Sequence, residues 1–471
     1  MVFSSIAFLY VFLPLALAGH LFLPRRLRNV WLLVCSLVFY TWGEGRMVAV
    51  LMVSIGFNYI AARCLGALSR QPWARQFLLM AAVAMNLLPL LFFKYTAFIL
   101  TIVAPFLSHA DSSETGLTIP LPLGISFFTF QAISYLIDVA RGDVIAEASL
   151  ITYGAYKSMY PQLIAGPIVR YRDISDDLKI AHASTSMMAE GVERFIIGLA
   201  KKLLIADIVA IPADRAFALA PDLLTSQMAW AGLICYALQI YFDFSAYSDM
   251  AIGIGRILGF RIPENFNLPY SARSVRDFWR RWHISLSTWF RDYLYIPLGG
   301  NRLGSLRTAL NLVTVFLLCG LWHGANWTFV IWGCTHGLFM GIEHFSPARN
   351  VNRFLGTLYA LTVVVLAWVL FRSTSLAQAG HFYLALIGHG AVYDGRAWSE
   401  TMGRDTVAAI ALGSILSLGG WPWLTKLIVF PGSKLQSFYP WLRLLRIWAF
   451  IFLCTLCLLG NAYSPFIYFR F

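Results

Sequence analysis

Two histidines occupy strongly apolar parts of this 471-residue chain. His283 lies in the stretch RRWHIS, and His323 lies in GLWHGAN, within a hydrophobic run long enough to enter a lipid bilayer. An ionisable side chain at that depth is costly and usually marks a functional site. A neutral imidazole, with an ordinary pKa of about 6.5, can also take a proton from a hydroxyl. The pair therefore indicates acid–base chemistry inside a membrane, with a buried structural histidine as the alternative for each.

The residues beside His323 add to this interpretation. Gly320 and Gly324 flank it closely, which predicts room for a ligand to approach. Asn326 carries an amide that could polarise a carbonyl group. His336 and His344, eight residues apart on one predicted helix, have less context and are interpreted as structural or interfacial.

An upstream apolar helix carries two carboxylates in the segment YFDFSAYSD. Such residues normally face the interior of a helix bundle and pair with a cation or a hydroxyl. We interpret Asp243, Tyr247 and Asp249 as a buried network that orients the site, and direct catalysis is the alternative. Arg256 follows Asp249 by two helical turns, so one helix face could carry both.

A basic and aromatic segment, Tyr270–Arg281, directly precedes His283. Arginine binds phosphate through paired hydrogen bonds, so this segment could dock a phosphate-bearing donor beside the site. A collar that binds lipid headgroups is the alternative, and both interpretations could hold. The candidate donor-binding residues are Arg276, Arg280, Arg281 and Trp282.

The composition predicts the surroundings of these residues. Hydrophobic residues make up 59% of the chain, charged residues 13%, and the mean hydropathy is +0.68. A soluble domain carries about 25% charged residues, so this chain is expected to be an all-α integral membrane protein. We expect one membrane-embedded domain over 1–471, with a catalytic core over 119–345. About 11 or 12 spans are predicted, at 5–24, 29–43, 47–66, 76–93, 119–140, 189–211, 229–255, 308–325, 326–345, 354–372, 406–422 and 447–461.

Charge predicts the orientation of the chain. Clusters of arginine and lysine recur in alternate loops, while the opposite loop Ser108–Gly116 carries only acidic charges. Because basic loops stay in the cytoplasm, both termini are predicted to face outward. The net charge of +13 is largely this bias together with attraction to anionic headgroups, and it does not indicate nucleic-acid binding.

Three apolar stretches are interrupted by proline and glycine. They are Ile119–Ser126, Tyr160–Pro167 and Arg291–Gly300. Irregular backbone at membrane depth is tolerated only inside protein or beside a water-filled cavity. We interpret the second and third as re-entrant or interfacial segments that line a cavity, with ordinary interfacial loops as the alternative.

Other common catalytic patterns are missing from the sequence. It has no Walker motif, no H-E-x-x-H and no G-x-S-x-G, which argues against an ATPase, a zinc protease and a serine hydrolase. The seven cysteines lie in or beside apolar runs and are interpreted as buried free thiols. No metal site is expected.

Three blocks resemble the membrane-bound O-acyltransferase (MBOAT) family. They are PQLIAGPIVR at 161–170, DFWRRWHISLS at 277–287 and WHGANW at 322–327, and the likeness extends to the C-terminal Tyr463–Phe469. The bacterial branch that acetylates exopolysaccharides such as alginate and cellulose is the most similar. The resemblance implies a ring of about 11–12 transmembrane helices, with re-entrant helices around a thinned centre. The invariant family histidine matches His323, and the second family position, which varies among Asn, Asp and His, matches His283.

We therefore expect an O-acetyltransferase of the bacterial inner membrane. It would move acetyl from a cytoplasmic thioester, acetyl-CoA, to a hydroxyl reached from the periplasm, without a permanently bound cofactor. His323 would act as general base, and His283 would orient the donor or stabilise the oxyanion with Asn326. The acceptor would be a periplasmic acetyltransferase partner protein or the polysaccharide itself. Direct transfer and a transient acetyl-His323 both remain open.

Two other classes of protein remain as alternatives. A secondary transporter or flippase would fit the broken helices and the intramembrane carboxylates. Transporters, however, often contain two repeated halves with matching interruptions, and the interruptions here are unevenly spaced. A non-catalytic scaffold of a polysaccharide secretion complex would tolerate replacement of both histidines.

Overall fold

The computed structural model describes residues 3–103, 119–180, 182–346, 352–391, 402–420, 439–460 and 466–467. This part of the chain is helical and contains no β-strand, which confirms the predicted all-α class. Five helical runs within it are long and apolar enough to cross a membrane: Arg25–Arg70, Pro72–Val103, Ser305–His323, Arg353–Arg372 and Trp441–Gly460. The larger count of 11 or 12 spans stays a prediction. The proposed external loop Ser108–Gly116 lies outside the described residues, as does most of Gly390–Arg404.

The chain packs into two compact units. The first comprises residues 1–192 and 251–263, and the second comprises 193–250 and 264–471. Two helices, Thr185–Lys201 (α9) and Ser226–Leu258 (α11), contribute residues to both units. The single domain expected over 1–471 stays a prediction.

The first unit is built from eight further helices. They are Leu13–Phe22 (α1), Arg25–Glu44 (α2), Val48–Ala67 (α3), Pro72–Leu90 (α4), Thr96–Val103 (α5), Ile125–Arg141 (α6), Leu150–Ser158 (α7) and Tyr171–Ile180 (α8). Polar side chains join neighbouring helices inside this apolar unit. Asn58 of α3 and Asn86 of α4 exchange hydrogen bonds of 2.9 and 2.8 Å, and Lys157 of α7 donates to Ser54 Oγ at 2.7 Å. Each bond spares a polar group the cost of facing hydrocarbon.

The interrupted segment Tyr160–Pro167 is non-helical and buried throughout. Gln162 donates from Nε2 to the carbonyl of Tyr156 at 2.7 Å, and the backbone N–H of Tyr160 donates to Ser36 Oγ at 3.1 Å. Gly124, at φ +75°, packs against the carbonyl of Leu163, where a Cβ would overlap that oxygen. This irregular backbone is therefore enclosed by protein, as membrane depth requires.

The second unit carries the predicted chemistry. Its helices are Asp207–Ala218 (α10), Val275–Arg281 (α12), Ile284–Phe290 (α13), Ser305–His323 (α14), Trp327–Phe345 (α15), Arg353–Arg372 (α16), Leu376–Leu386 (α17), Arg404–Ser417 (α18) and Tyr439–Gly460 (α19), together with its parts of α9 and α11. The third interrupted segment begins as a π-helical turn, Arg291–Tyr295, and continues as a non-helical turn before α14.

Helices α14 and α15 pack in unusually close contact because glycines line their interface. A Cβ at Gly320 would overlap the carbonyl of Phe329, and a Cβ at Gly333 would overlap the carbonyl of Phe316. At Gly337 it would lie 2.8 Å from the Cα of Val313. Small residues allow this approach of two backbones, and dispersion forces between the helices then stabilise it.

Gly333→Ala should push α14 and α15 apart, because the added methyl group meets backbone rather than a movable side chain. The cost expected of such overpacking is about 1–3 kcal/mol. Gly380→Ala on α17 is the matched control, since a Cβ there meets nothing within 4 Å. Thermal unfolding of both variants in detergent should show a lower midpoint for Gly333→Ala alone. Equal midpoints would contradict the close packing.

Candidate active site

His323 is the last residue of α14 and is only 5% exposed. Three aromatic rings surround its imidazole: Trp322 at 4.8 Å, Phe371 at 5.1 Å and Trp332 at 5.2 Å between ring centroids. The helix therefore delivers the imidazole into an aromatic pocket, and α15 and α16 provide two of the walls.

His283 lies between the short helices α12 and α13 and is fully buried. Its ring stands edge-on to Phe244 at 4.7 Å and reaches Trp322 at 6.1 Å. Trp322 is also the neighbour of His323, so the structure brings both predicted histidines to one indole. Sequence spacing alone does not show this proximity, because a π-helical segment and a turn separate α13, which follows His283, from α14, which ends at His323.

The backbone of His283 has φ +45°, one of two non-glycine residues with positive φ in the described chain. This left-handed conformation costs an L-residue roughly 1–3 kcal/mol and persists where surrounding contacts hold it. Here the backbone that follows His283 is anchored by the loop before α12. Ile284 N donates to the carbonyl of Asn265 at 3.0 Å, and Ser285 N donates to Asn265 Oδ1 at 3.2 Å.

Asn265 also determines which nitrogen of His283 carries the proton. Its Oδ1 accepts from the backbone N–H of Ser285 and from Ser285 Oγ at 2.8 Å, so this amide atom must be the oxygen. His283 Nδ1 lies 3.2 Å from the same oxygen and therefore donates to it. The neutral imidazole thus presents the lone pair of Nε2, which can accept a proton or a hydrogen bond but cannot donate one.

His283 lies outside the five runs able to span a membrane. Burial lowers its pKa to about 3, because the interior disfavours the charged form. The imidazole of His283 is therefore neutral near pH 7.

His336 is a third histidine of this cluster, which the sequence interpretation left as structural or interfacial. It is fully buried on α15, and its Nδ1 accepts from the indole N–H of Trp279 at 3.2 Å. Its ring lies 4.9 Å from Trp332, which in turn contacts His323. The sequence signal that could have identified His336 is its four-residue spacing from Trp332, which places both side chains on one face of a helix. Its contact with Trp279 depends on tertiary structure.

The structure corrects the interpretation of the residues that flank His323. Asn326 caps α15: its Oδ1 accepts from Thr328 N at 3.1 Å, and its Nδ2 donates to the carbonyl of Thr374 at 2.9 Å. This gives Asn326 a structural role instead of the oxyanion role expected from sequence. The space beside Gly324 is filled by the ring of Phe329, and Gly320 packs on the α15 backbone, so neither glycine leaves room for a ligand.

The buried carboxylates form ion pairs. Asp243 meets Lys202 at 2.6 Å and accepts from the backbone N–H of Ile467 at 2.6 Å. Asp249 meets Arg194 and Lys201, each at 2.6 Å. These contacts agree with the favoured reading of an interior network.

The other members of this network have separate contacts. Tyr247 is buried against Phe466 at 5.2 Å. Arg256 pairs with Glu190 of α9 at 3.1 Å, and the partners of Asp249, Arg194 and Lys201, belong to the same helix, which agrees with one face of α11 carrying both residues.

A cavity of about 520 Å³ opens beside the histidine cluster, within the second unit. Basic side chains from three elements line it: Arg276 and Arg280 of α12, Arg291 of the π-helical turn, and His344 of α15. Tyr295 lines it too, so the segment Arg291–Gly300 does border a cavity, as predicted. Among the described residues, no acidic side chain lines it, so the cavity suits an anionic ligand.

Two of the four predicted donor-binding residues do not line this cavity. Arg281 pairs with Asp277 at 2.9 Å, and Trp282 is buried between Phe278 and Trp368 at 5.4 and 5.1 Å. A helical segment turns successive side chains in different directions, so only part of Tyr270–Arg281 can face one ligand.

The cavity extends along one face of α14 toward His323. The residues of α14 that line it are Thr308, Leu312, Val315, Phe316 and Cys319. His323 follows Cys319 by four residues and so lies next on the same face. A ligand with its anionic end among the arginines could therefore direct its other end toward His323.

Among the described residues, no group of three His, Cys, Asp or Glu side chains is placed to hold a metal ion. The polar groups of the site are instead imidazoles, indoles and guanidinium groups. This set can move a proton and bind an anion.

Comparisons with known proteins agree with this chemistry. The model of the MBOAT, membrane-bound O-acyltransferase family matches residues 143–375, which include both histidines and the cavity. The chain is 44% identical over 394 residues to the probable alginate O-acetylase AlgI of Azotobacter vinelandii, covering 83% of this chain and 79% of that protein. The protein belongs to the membrane-bound O-acyltransferase family, and it is an O-acyltransferase.

Two further relatives show the breadth of the similarity. The peptidoglycan O-acetyltransferase of Helicobacter pylori is 37% identical over 427 residues, covering 82% of this chain and 80% of that protein. The teichoic acid D-alanyltransferase of Bacillus subtilis is 28% identical over 294 residues, covering 60% of this chain and 71% of that protein. These relatives act on different polymers, so the acceptor does not follow from the family.

Replacing Asn265 should alter the acid–base behaviour of His283. Asn265→Asp keeps an oxygen that accepts from Nδ1–H, but its negative charge favours the imidazolium and raises the pKa of His283. If neutral His283 is required, the acid limb of the kcat/KM profile should move to higher pH, with activity recovered under alkaline conditions. Asn265→Leu removes the acceptor and should lower activity at every pH.

The matched control is Ser248→Ala, which removes the hydroxyl that Asn265 Nδ2 donates to at 3.2 Å and leaves Oδ1 in place. Its pH profile should match that of the wild type. An Asn265→Asp profile with an unmoved acid limb would show that the protonation of His283 does not matter to the reaction.

Proposed function

We propose that this protein is an O-acetyltransferase of the bacterial inner membrane that modifies an exopolysaccharide. It would take acetyl from acetyl-CoA in the cytoplasm and pass it to a hydroxyl reached from the periplasm, with both termini on the periplasmic side. The acceptor would be a periplasmic partner protein or the polymer. The 44% identity to a probable alginate O-acetylase supports alginate, or a related polymer such as cellulose, as the class of final product.

The cavity supports the choice of donor. Coenzyme A carries phosphates at one end and the thioester at the other. The arginines of the cavity suit the phosphates, and its apolar wall along α14 suits the pantetheine chain that leads toward His323. A volume of about 520 Å³ lies within the range typical of small-ligand sites.

The chemistry would begin with the acceptor hydroxyl. Neutral His323 would take the hydroxyl proton while the oxygen bonds to the thioester carbonyl carbon. The carbon–sulfur bond would then break, the electron pair would leave on sulfur, and the proton held by His323 would protonate the thiolate. The position of His323 at the C-terminal end of α14 supports this role, because the negative end of the helix dipole stabilises an imidazolium.

His283 would act as a hydrogen-bond acceptor. With Nδ1–H held by Asn265, its Nε2 can accept from a hydroxyl or a thiol but cannot stabilise an oxyanion. We therefore assign it to the orientation of a proton-bearing group, such as the acceptor hydroxyl, instead of the oxyanion role considered from sequence. In the alternative route, the imidazole nitrogen of His323 would itself bond to the thioester carbonyl carbon and release the thiolate. The acceptor hydroxyl would then take the acetyl group from His323, and its proton would return to the thiolate.

The transporter and scaffold interpretations predict other outcomes. A transporter needs its substrate to pass through the protein and does not need a proton acceptor at His323. A scaffold needs neither histidine. The observation that most favours transfer chemistry is the placement of both family histidines around Trp322, next to an arginine-lined cavity.

His323→Gln should abolish polymer O-acetylation in cells that carry only this copy. Loss of a general base typically lowers the rate by roughly 10²–10⁴-fold. Protein levels in the membrane should be matched to wild type by blotting, so that misfolding is not mistaken for lost chemistry. Acetylation at near-normal levels would return His323 to a structural role and favour the transporter or the scaffold.

Arg280→Ala should weaken the binding of acetyl-CoA. Hydrogen bonds to charged groups contribute about 1.5–3 kcal/mol, so the KM for acetyl-CoA should rise roughly tenfold or more, with a smaller change in kcat. Arg281→Ala is the matched control, because Arg281 neighbours Arg280 but pairs with Asp277 away from the cavity. An equal rise in KM for both variants would show that the effect is general charge and not contact with the donor.

A further inference from the structure

Several buried N–H groups of the aromatic cluster around His323 have no acceptor among the residues that the structure describes, and two of these groups lie in contact with each other. They are Nε1 of Trp332 and Nε2 of His336, on side chains that are both 0% exposed. Unsatisfied buried donors are rare in proteins, and each costs about 1–3 kcal/mol. Two of them in contact therefore suggest that an acceptor from outside the protein completes the site.

The chemical state of His336 follows from its neighbour. Indole is only ever a donor, so the N–H of Trp279 that meets His336 Nδ1 at 3.2 Å requires a lone pair on that nitrogen. A neutral imidazole has one proton, which must then be on Nε2. His336 is thus held as a hydrogen-bond donor, while Asn265 holds His283 as an acceptor.

The two donors are close to each other and to the proposed base. Trp332 and His336 are four residues apart on α15, with ring centroids 4.9 Å apart. Trp332 lies 5.2 Å from His323, and His336 packs against Trp279, which lines the cavity. The close packing of α14 on α15 through Gly320 and Gly333 brings these groups together.

We propose that Trp332 Nε1 and His336 Nε2 form the binding site for the carbonyl oxygen of the acyl donor. The ligand is a thioester carbonyl, and the inference rests on the proposed function of acyl transfer from acetyl-CoA. As the acceptor oxygen bonds to the carbonyl carbon, an electron pair moves onto the carbonyl oxygen. The two donors stabilise that charge until the pair returns and the carbon–sulfur bond breaks. The two donors would thus stabilise the oxyanion, a role expected of Asn326 from sequence, whereas Asn326 caps α15.

Paired variants separate the N–H groups from the rings that carry them. Trp332→Phe removes the indole N–H and keeps an aromatic ring. His336→Leu removes the donor, whereas His336→Gln places an amide N–H near the position of Nε2. Trp368→Phe is the matched control, because Trp368 belongs to the same aromatic cluster, 6.0 Å from Trp332, and packs on Trp282 and Phe278 at 5.1 and 6.4 Å.

The first measurement is binding to the full-length protein in lipid nanodiscs by calorimetry. The probes are S-acetonyl-CoA, which carries an unreactive ketone carbonyl, and S-ethyl-CoA, which has none. The wild type and Trp368→Phe should bind the ketone roughly tenfold more tightly, as expected for about 1.4 kcal/mol of hydrogen bonding. Trp332→Phe and His336→Leu should lose that preference, and His336→Gln should keep most of it. Equal binding of both probes by the wild type would overturn the proposal and assign a buried water to the two donors.

The second measurement is polymer O-acetylation in cells at matched protein levels, which does not depend on the identity of the donor. Removal of one donor to an oxyanion typically costs about 10²–10³-fold in rate, so Trp332→Phe and His336→Leu should acetylate at least tenfold less than Trp368→Phe. Near-normal acetylation by both would overturn the carbonyl site. If neither CoA probe binds the wild type but both variants lose acetylation, the choice of acetyl-CoA is wrong and the carbonyl site stands.

Discussion

The close approach of α14 and α15 is the contact on which the rest of the site depends. Glycine at the points of contact lets the two backbones meet where any Cβ would overlap a carbonyl oxygen. In a membrane protein, helices gain little from burying apolar surface against each other, so backbone proximity and dispersion forces must hold them. This contact puts His323, at the end of one helix, beside Trp332 on the next.

A second constraint is that polar groups in a dry interior need partners. Four buried polar side chains of the second unit meet it through particular bonds: Asp243 to Lys202, Asp249 to Arg194 and Lys201, His283 to Asn265, and His336 to Trp279. In water an imidazole exchanges between tautomers, but here the neighbour of each ring selects one. His283 thereby becomes a hydrogen-bond acceptor at Nε2 and His336 a donor at Nε2, within a single aromatic cluster.

The site also shows how a basic, aromatic segment is divided between two tasks. On α12 the side chains of Arg276 and Arg280 face the cavity, while Phe278 is buried and packs on Trp282 beyond the helix. Arg281 turns back to Asp277 within the helix. One short helix thus anchors the aromatic core with some residues and offers charge to an anionic ligand with others.

The sequence by itself determined the class of fold and the identity of the central residues. The low charge and the long apolar runs require a helical membrane protein, because only helices satisfy the backbone within one segment of lipid-exposed chain. An ionisable side chain in such a run has a high free-energy cost, which identified His283 and His323 as candidate functional residues. The same cost for an isolated carboxylate implied that Asp243 and Asp249 are paired. These conclusions depend on composition and local spacing, which a sequence contains.

Only the tertiary structure decided what each polar atom does. Asn326 follows His323 closely and could have aided the reaction, but it caps α15. Asn265 and Trp279 had no local signal, although they determine the tautomers of His283 and His336 from 18 and 57 residues away. The cavity likewise combines α12, α14, α15 and the turn before α14. The physical reason is that a hydrogen bond depends on distances of about 3 Å between atoms, and those distances arise when separate helices pack.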